Sequence, residues 1–157
     1  LSAVHRIYKI EKSMLASPGD FADFQEWPTD FGAPWVDVDG DGVYTPMPTG
    51  TDHPKFVGDQ VLWFVSNDGD PAYKLNFGTS PLNVEIQTTM FGFDRPHVFG
   101  DMVFLKQLVI NKGSDDLVDT YMGLCSDPDL EFAGVDFVGC GVALGMGYVM
   151  RDVVVWV

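Results

Sequence analysis

The chain has 157 residues, of which 46% are hydrophobic and 13% aromatic. This is enough apolar material for one domain with a core of its own and argues against a disordered chain. Its 9 basic and 23 acidic residues give a net charge of −14, so we expect it to repel nucleic acid and anionic membranes. No apolar run is long enough to predict a transmembrane helix.

The first third of the chain predicts one short strand followed by a long irregular segment. Residues 4–12 alternate apolar and polar side chains, which is typical of a strand. Proline, glycine and aspartate then dominate residues 13–58, so we expect a long acidic loop there. One helical turn is predicted within this loop, near Asp20–Trp27.

The remaining two thirds predict a series of short strands separated by turn residues. These predicted strands are 59–67, 83–94, 101–113, 117–127 and 141–150. A second acidic loop is expected at 127–140. Because helical periodicity is almost absent, the sequence predicts a single all-β domain over residues 1–157, an antiparallel β-sandwich of jelly-roll or Ig-like type with long acidic metal-binding loops.

The sharpest motif is the stretch "DVDGDG", in which Asp37, Asp39 and Asp41 alternate with other residues and Gly42 follows. Alternate carboxylates in a tight turn can converge on one point, and the next residue, Val43, can add its backbone carbonyl. Hard cations such as Ca²⁺ prefer such oxygen ligands. The motif therefore predicts a calcium site, with a solvated turn as the alternative.

The loop departs from an EF-hand because Pro48 stands where that motif places its closing glutamate. Any further ligands must therefore come from elsewhere in the chain. We expect them from Asp52 and Asp59, the nearest later aspartates of the segment.

Two further acidic groups are weaker candidates for cation binding. They are Asp127, Asp129 and Asp136 in "SDPDLEFAGVD", and Asn67, Asp68 and Asp70 in "SNDGDP". In the first group the alternative is a proline-stiffened loop whose aspartates cap local backbone. In the second, Asn-Asp-Gly suits a turn without any ion, and we favour that interpretation.

Catalytic motifs are not evident in the sequence, so we expect no enzyme activity. The three histidines are isolated and no nucleophile elbow is present. A hydrolase stays an alternative, because the separation of two carboxylates is invisible in a sequence. The two cysteines, Cys125 and Cys140, allow one disulfide or two buried thiols.

The four tryptophans have two interpretations. They could line a sugar-binding platform, or they could pack in the core and loops, which we favour especially for the one inside "VLWFV". These residues are Trp27, Trp35, Trp63 and Trp156.

Several phrases together resemble large secreted proteins of Bacteroidota and related bacteria that carry a C-terminal type IX secretion sorting domain. Among them are "EWPTDFGAPWVDVDGDGVYTP", "DHPKFVGDQVLWFVSNDGDP" and "GDMVFLKQLVINKGSDDLVDTYMGLCSDPDLEFAGVDFVGC". The resemblance runs from Tyr8 to Tyr148 and implies a β-rich protein located outside the cell or on its surface. Both acidic loops match the family pattern, but Val135, Gly141 and Cys125 depart from it near the second.

From these features we expect a secreted, calcium-stabilised structural or adhesive surface module. The apolar end "VVVWV" suggests an edge strand that pairs with a neighbouring copy, so we expect self-association into a filament or layer. The alternatives are a carbohydrate-binding module and a non-catalytic part of a polysaccharide-degrading enzyme. We also expect the chain to be a fragment or processed part of a longer protein.

Overall fold

A computed structural model describes residues 5–70, 80–126, 130 and 136–151. Strands outweigh helices in this part of the chain, and the sheets are antiparallel, as the sequence predicted. The strands are β1 Tyr8–Glu11, β2 Trp35–Val36, β3 His53–Pro54, β4 Gln60–Asn67, β5 Val84–Gly92, β6 Val103–Asn111, β7 Asp136–Gly141 and β8 Met146–Arg151. The chain divides into two compact units, Leu1–Leu117 and Val118–Val157, where the sequence predicted one domain.

The first unit is built on a four-stranded sheet in the order β1-β4-β5-β6. β4 pairs with β5 over its whole length, and β5 pairs with β6 from Val84 opposite Asn111 to Gly92 opposite Val103. The predictions of strands at 59–67, 83–94 and 101–113 are confirmed to within two residues at each end. These segments are rich in β-branched and aromatic residues and contain no proline, which favours long paired strands.

The core of the first unit lies against one face of this sheet. Tyr8 and Ile10 from β1 and Val61 and Trp63 from β4 are all buried there. The layer that covers them is the long segment predicted as a loop, which contributes Trp27 and carries the short helix α1, Ala22–Gln25. The predicted helical turn near Asp20–Trp27 is therefore confirmed.

The tryptophans of the first unit pack inside it. Trp27 and Trp63 are 3% and 2% exposed, and their rings lie 6.5 Å apart between centroids. The Trp27 indole N–H donates to the Pro34 carbonyl at 3.1 Å, and Trp35 is half-buried. Packing, rather than a sugar platform, describes these three residues, and Trp156 lies outside the described residues.

The second unit contains the hairpin β7–β8, in which Asp136 pairs with Arg151 and Gly141 with Met146. The prediction of one continuous strand at 141–150 is wrong, because a 3-10 turn at Val142–Leu144 reverses the chain there. Gly145 ends this turn at φ +58, a conformation that glycine adopts without strain.

Two other predictions for the second unit are also corrected. The loop expected at 127–140 includes β7, and the expected strand at 117–127 is absent over its described residues 117–126. In that segment Tyr121 and Leu124 are 93% and 84% exposed, so its apolar pattern lacks a surface to pack on. No helix of the described residues is long and apolar enough to cross a membrane.

Candidate metal site

The register of the two-stranded sheet β2–β3 brings the acidic motif to a distant aspartate. Val36 pairs with His53 in antiparallel orientation. Asp37 follows Val36 and Asp52 precedes His53, so the next position along the same ladder places these two carboxylates side by side. Strand pairing, rather than distance along the sequence, therefore determines that Asp52 is the carboxylate that joins the motif.

The motif itself folds into a tight loop through hydrogen bonds from backbone to carboxylate. Asp37 accepts from the N–H of Gly40 at 2.7 Å and from that of Gly42 at 2.9 Å. Both glycines have positive φ, +79 and +76, a left-handed conformation that other residues rarely adopt. Asp39 and Asp41 each accept from the N–H two residues ahead. The alternation of aspartate and glycine therefore dictates this turn locally.

Asp52 is fully buried and anchors the loop at both ends. Its Oδ1 accepts from the N–H of Val38 at 2.9 Å, and its Oδ2 accepts from the N–H of Thr45 at 2.8 Å. A buried carboxylate is stabilised by such backbone donors, which compensate for lost hydration. Asp52 thus fastens the loop to β3 and supplies a fourth carboxylate.

Four carboxylates meet in this arrangement, each offering one ligand oxygen. These oxygens all lie within 4.8 Å of one another, and the residues are Asp37, Asp39, Asp41 and Asp52. No lysine or arginine of the described residues forms an ion pair with them. Their mutual repulsion is therefore not offset by a protein cation, and a hard divalent ion would offset it.

The pKa of Asp39 is affected by the neighbouring carboxylates. Its hydrogen bond from the Asp41 N–H acts to lower the pKa, but desolvation and the charges of the three neighbouring carboxylates outweigh that bond. The pKa of Asp39 is consequently raised above its ordinary value. A positive ion at the cluster would act in the opposite direction.

Tyr44 ties the end of the loop to the core, a role that the sequence reasoning missed. Its hydroxyl donates to the Phe24 carbonyl at 2.7 Å, and its ring packs edge-on against Trp35 at 5.4 Å between centroids. Burial, assisted by the negative charge of Asp52, raises the pKa of Tyr44. The aromatic residue directly after the acidic loop is the signal that could have identified this anchor.

Two other residues of the first unit were predicted as ligands, Val43 and Asp59, and neither belongs to the four carboxylates that converge. The Val43 N–H donates to Asp41 at 2.7 Å, while its carbonyl as a ligand stays a prediction. Asp59 does not join the four carboxylates that meet. It forms an ion pair with Lys12 at 2.9 Å and accepts from the Asp94 N–H at 3.0 Å. Lys12 is the main cause that lowers the pKa of Asp59.

The acidic group Asn67, Asp68 and Asp70, at the end of β4, includes two side chains that hydrogen-bond to nearby backbone. Asn67 accepts from the Gly69 N–H at 3.0 Å, which is the turn favoured from the sequence. Asp68 accepts from the N–H groups of Leu82 and Val84, so its carboxylate closes the β4–β5 connection. Asp70 is not among the described carboxylates that converge.

The acidic group Asp127, Asp129 and Asp136 and the two cysteines belong to the second unit. Asp127 and Asp129 lie outside the described residues. Asp136 accepts from the Leu130 N–H at 2.6 Å through Oδ2, and its buried Oδ1 has no partner among the described residues. Cys125 and Cys140 are both free and exposed, so neither the disulfide nor the buried-thiol alternative describes them.

No protein-family model, curated protein or solved structure matches this chain. The site is therefore defined by its own geometry, as a cluster of four carboxylates that could hold a metal ion, on a β-rich scaffold.

Proposed function

We propose that this chain is an extracellular structural module whose long acidic segment is fastened by a bound Ca²⁺ ion. The observation that carries the proposal is the convergence of Asp37, Asp39 and Asp41 with the buried Asp52. Calcium takes six to eight oxygen ligands in flexible geometry, and four carboxylates supply a large part of that set.

The position of the cluster explains what the ion would do there. The segment that carries it also covers the core of the first unit through Trp27. An ion that binds only the folded arrangement stabilises this cover by mass action. Location outside the cell, which the sequence resemblance implies, fits a weak calcium site because extracellular modules bind the ion at about millimolar concentration.

We also propose that the sheet of the first unit belongs to a β-sandwich. Strand alternation puts Leu62 and Phe64 of β4 on the face opposite the core, and both are half-buried. Ile86 and Met90 of β5 lie on that same face and are likewise half-buried. A sheet with apolar side chains on both faces is typical of an inner layer.

The proposal is tested by thermal unfolding with millimolar CaCl₂ and with EGTA, followed by circular dichroism. We expect calcium to raise the melting temperature of the wild-type chain. The double variant Asp39→Asn/Asp41→Asn should lose this increase, because it removes two exposed ligands and leaves the buried Asp52 in place.

The matched control is Asp20→Asn, which removes an exposed carboxylate outside the cluster and should keep the calcium response. A melting temperature that is the same with calcium and EGTA would contradict the proposal. So would a response that the double variant retains in full.

A further inference from the structure

Two adjoining clefts lie beside the connection between β5 and β6. The larger has a volume of about 620 Å³ and the smaller about 450 Å³. Both are lined by Phe93 and Arg95, so they meet along these two side chains. The larger cleft falls within the usual size range of small-molecule sites, roughly 300–1,000 Å³. Their lining residues belong to the first unit, and none of them is part of the carboxylate cluster.

Among the polar groups of the larger cleft, one carboxylate is fully engaged and two other side chains make no hydrogen bond within the described part of the chain. Asp59 at its wall is held by Lys12 and by the Asp94 N–H. The guanidinium of Arg95 is 63% exposed and forms a long ion pair with Asp59, with 4.0 Å between Nε and Oδ2, which is beyond hydrogen-bond distance. Among the described residues, neither this guanidinium nor the Asp94 carboxylate makes a side-chain hydrogen bond. One acceptor group and one donor group, on consecutive residues, therefore line the larger cleft with hydrogen-bonding capacity left over.

The apolar part of the site combines a fixed ring with an exposed one. Phe93 packs edge-on against Phe91 and Phe104, at 5.9 and 5.8 Å between centroids. Phe99, which lines the smaller cleft, is 62% exposed. An exposed aromatic ring beside polar groups is a common feature of binding surfaces.

The backbone of this connection is held in a conformation that costs free energy. His97 has φ +70 and ψ −161, a region that is almost confined to glycine. The Gly100 N–H donates to the His97 carbonyl at 2.9 Å, and a Cβ atom at Gly100 would lie 2.2 Å from the Arg95 carbonyl oxygen. The tight winding that results brings Arg95 and Phe99 to the same smaller cleft.

From these observations we infer that the paired clefts bind a neutral oligosaccharide. Sugar hydroxyls both donate and accept hydrogen bonds, so they match the Asp94 carboxylate and Arg95 guanidinium together. The apolar C–H face of a sugar ring matches the exposed ring of Phe99. The charged side chains that line the larger cleft nearly cancel, because Glu11, Asp59 and Asp94 occur there together with Lys12 and Arg95. The cleft therefore favours neither a strongly anionic nor a strongly cationic ligand, and the chain's net charge of −14 further disfavours an anion.

The test is isothermal titration calorimetry of the full chain, in millimolar calcium, with cellohexaose, xylohexaose and chitohexaose as separate probes. We expect saturable binding of at least one of them. Phe99→Ala and Arg95→Ala should each weaken that binding about tenfold, in line with the loss of one aromatic contact or one charged hydrogen-bond donor.

The matched control is Val98→Ala, since Val98 is also 62% exposed but lines neither cleft. Binding to this variant should be unchanged, as should binding to Asp39→Asn/Asp41→Asn, which separates the clefts from the metal site. The inference is overturned if none of the three probes binds at millimolar concentration. It is also overturned if Phe99→Ala and Arg95→Ala bind as tightly as Val98→Ala.

Discussion

At the scale of single residues, the acidic loop depends on carboxylates that differ in burial and therefore in role. Asp52 is fully buried and satisfies two backbone donors, whereas Asp37, Asp39 and Asp41 are exposed. The buried residue contributes to stability with or without an ion, because its removal leaves donors without an acceptor. Neutralisation of the exposed Asp39 relieves repulsion when no ion is bound, since the charges of its neighbours help to raise its pKa.

We predict that Asp52→Ala destabilises the fold strongly, even in EGTA. The variant leaves the N–H groups of Val38 and Thr45 without their acceptors, and each costs about 1–3 kcal/mol when buried. The measurement is the free energy of unfolding from urea titration. Asp20→Ala is the control at an exposed carboxylate, and equal stability of the two variants would show that Asp52 is not an anchor.

A second residue-scale prediction concerns pH. Because the pKa of Asp39 is raised in the folded state, its ionisation disfavours folding, and this cost is relieved as pH falls through the folded pKa. In EGTA at pH 7 we therefore expect Asp39→Asn to be more stable than wild type. The difference should shrink on acidification, as the wild-type carboxyl becomes neutral too. Urea titrations at several pH values measure it, and a pH-independent difference would contradict the assignment.

At the scale of elements, the hairpin β7–β8 depends on a close approach that its glycines permit. Gly139 is paired with Tyr148, and a Cβ atom at Gly139 would lie 2.4 Å from the Tyr148 ring. The ring therefore lies across the neighbouring strand. Gly147 on the other strand has room, since its nearest contact would be at 4.0 Å.

We predict that Gly139→Ala displaces the Tyr148 ring and weakens the hairpin, by less than the roughly 1–3 kcal/mol of overpacking in a core, because the ring is 44% exposed. Hydrogen exchange of the β7 and β8 amides measures the effect as faster exchange. Gly147→Ala is the matched control, and there we expect unchanged or slower exchange. Similar exchange rates in the two variants would show that the ring does not restrict position 139.

At the scale of the whole molecule, the sheet of the first unit presents a long edge. β6 has nine residues, and its outer edge pairs with no strand of the described residues. Val103, Leu105 and Leu108 on it are 65%, 52% and 53% exposed, and Lys106 is its only charged residue. In a chain of net charge −14, a strand without carboxylates is where two copies repel each other least.

We therefore predict self-association through β6 of two copies, the surface that the proposed module would use in a filament or layer. Antiparallel pairing centred on Gln107 would place Phe104 opposite Ile110 and Leu105 opposite Val109. Light scattering after size exclusion should show mass that increases with concentration. Leu105→Lys should abolish this increase, and Val118→Lys, at a residue 76% exposed in the second unit, should not. A monomer at every concentration would contradict the prediction.

The sequence by itself determined the features that depend on neighbours along the chain. Strand β4 follows from a short apolar run and strands β5 and β6 from local alternation, each bounded by turn residues. The acidic loop follows from aspartates and glycines within six positions. Long-range contacts were less predictable. The apolar segment at 117–126 reads as a strand but forms none, because strand formation requires a pairing partner that local pattern does not reveal.

Only the tertiary structure decided which distant groups meet. Asp52 and Asp59 were equal candidates in the sequence, yet the β2–β3 register brings Asp52 to the loop, while Asp59 pairs with Lys12. Likewise, nothing in the sequence indicated that Arg95 and Phe99 line one cleft and that Arg95 also lines the adjoining one. The physical reason is that register and strand order set side-chain neighbours in a sheet, and both are properties of the whole fold.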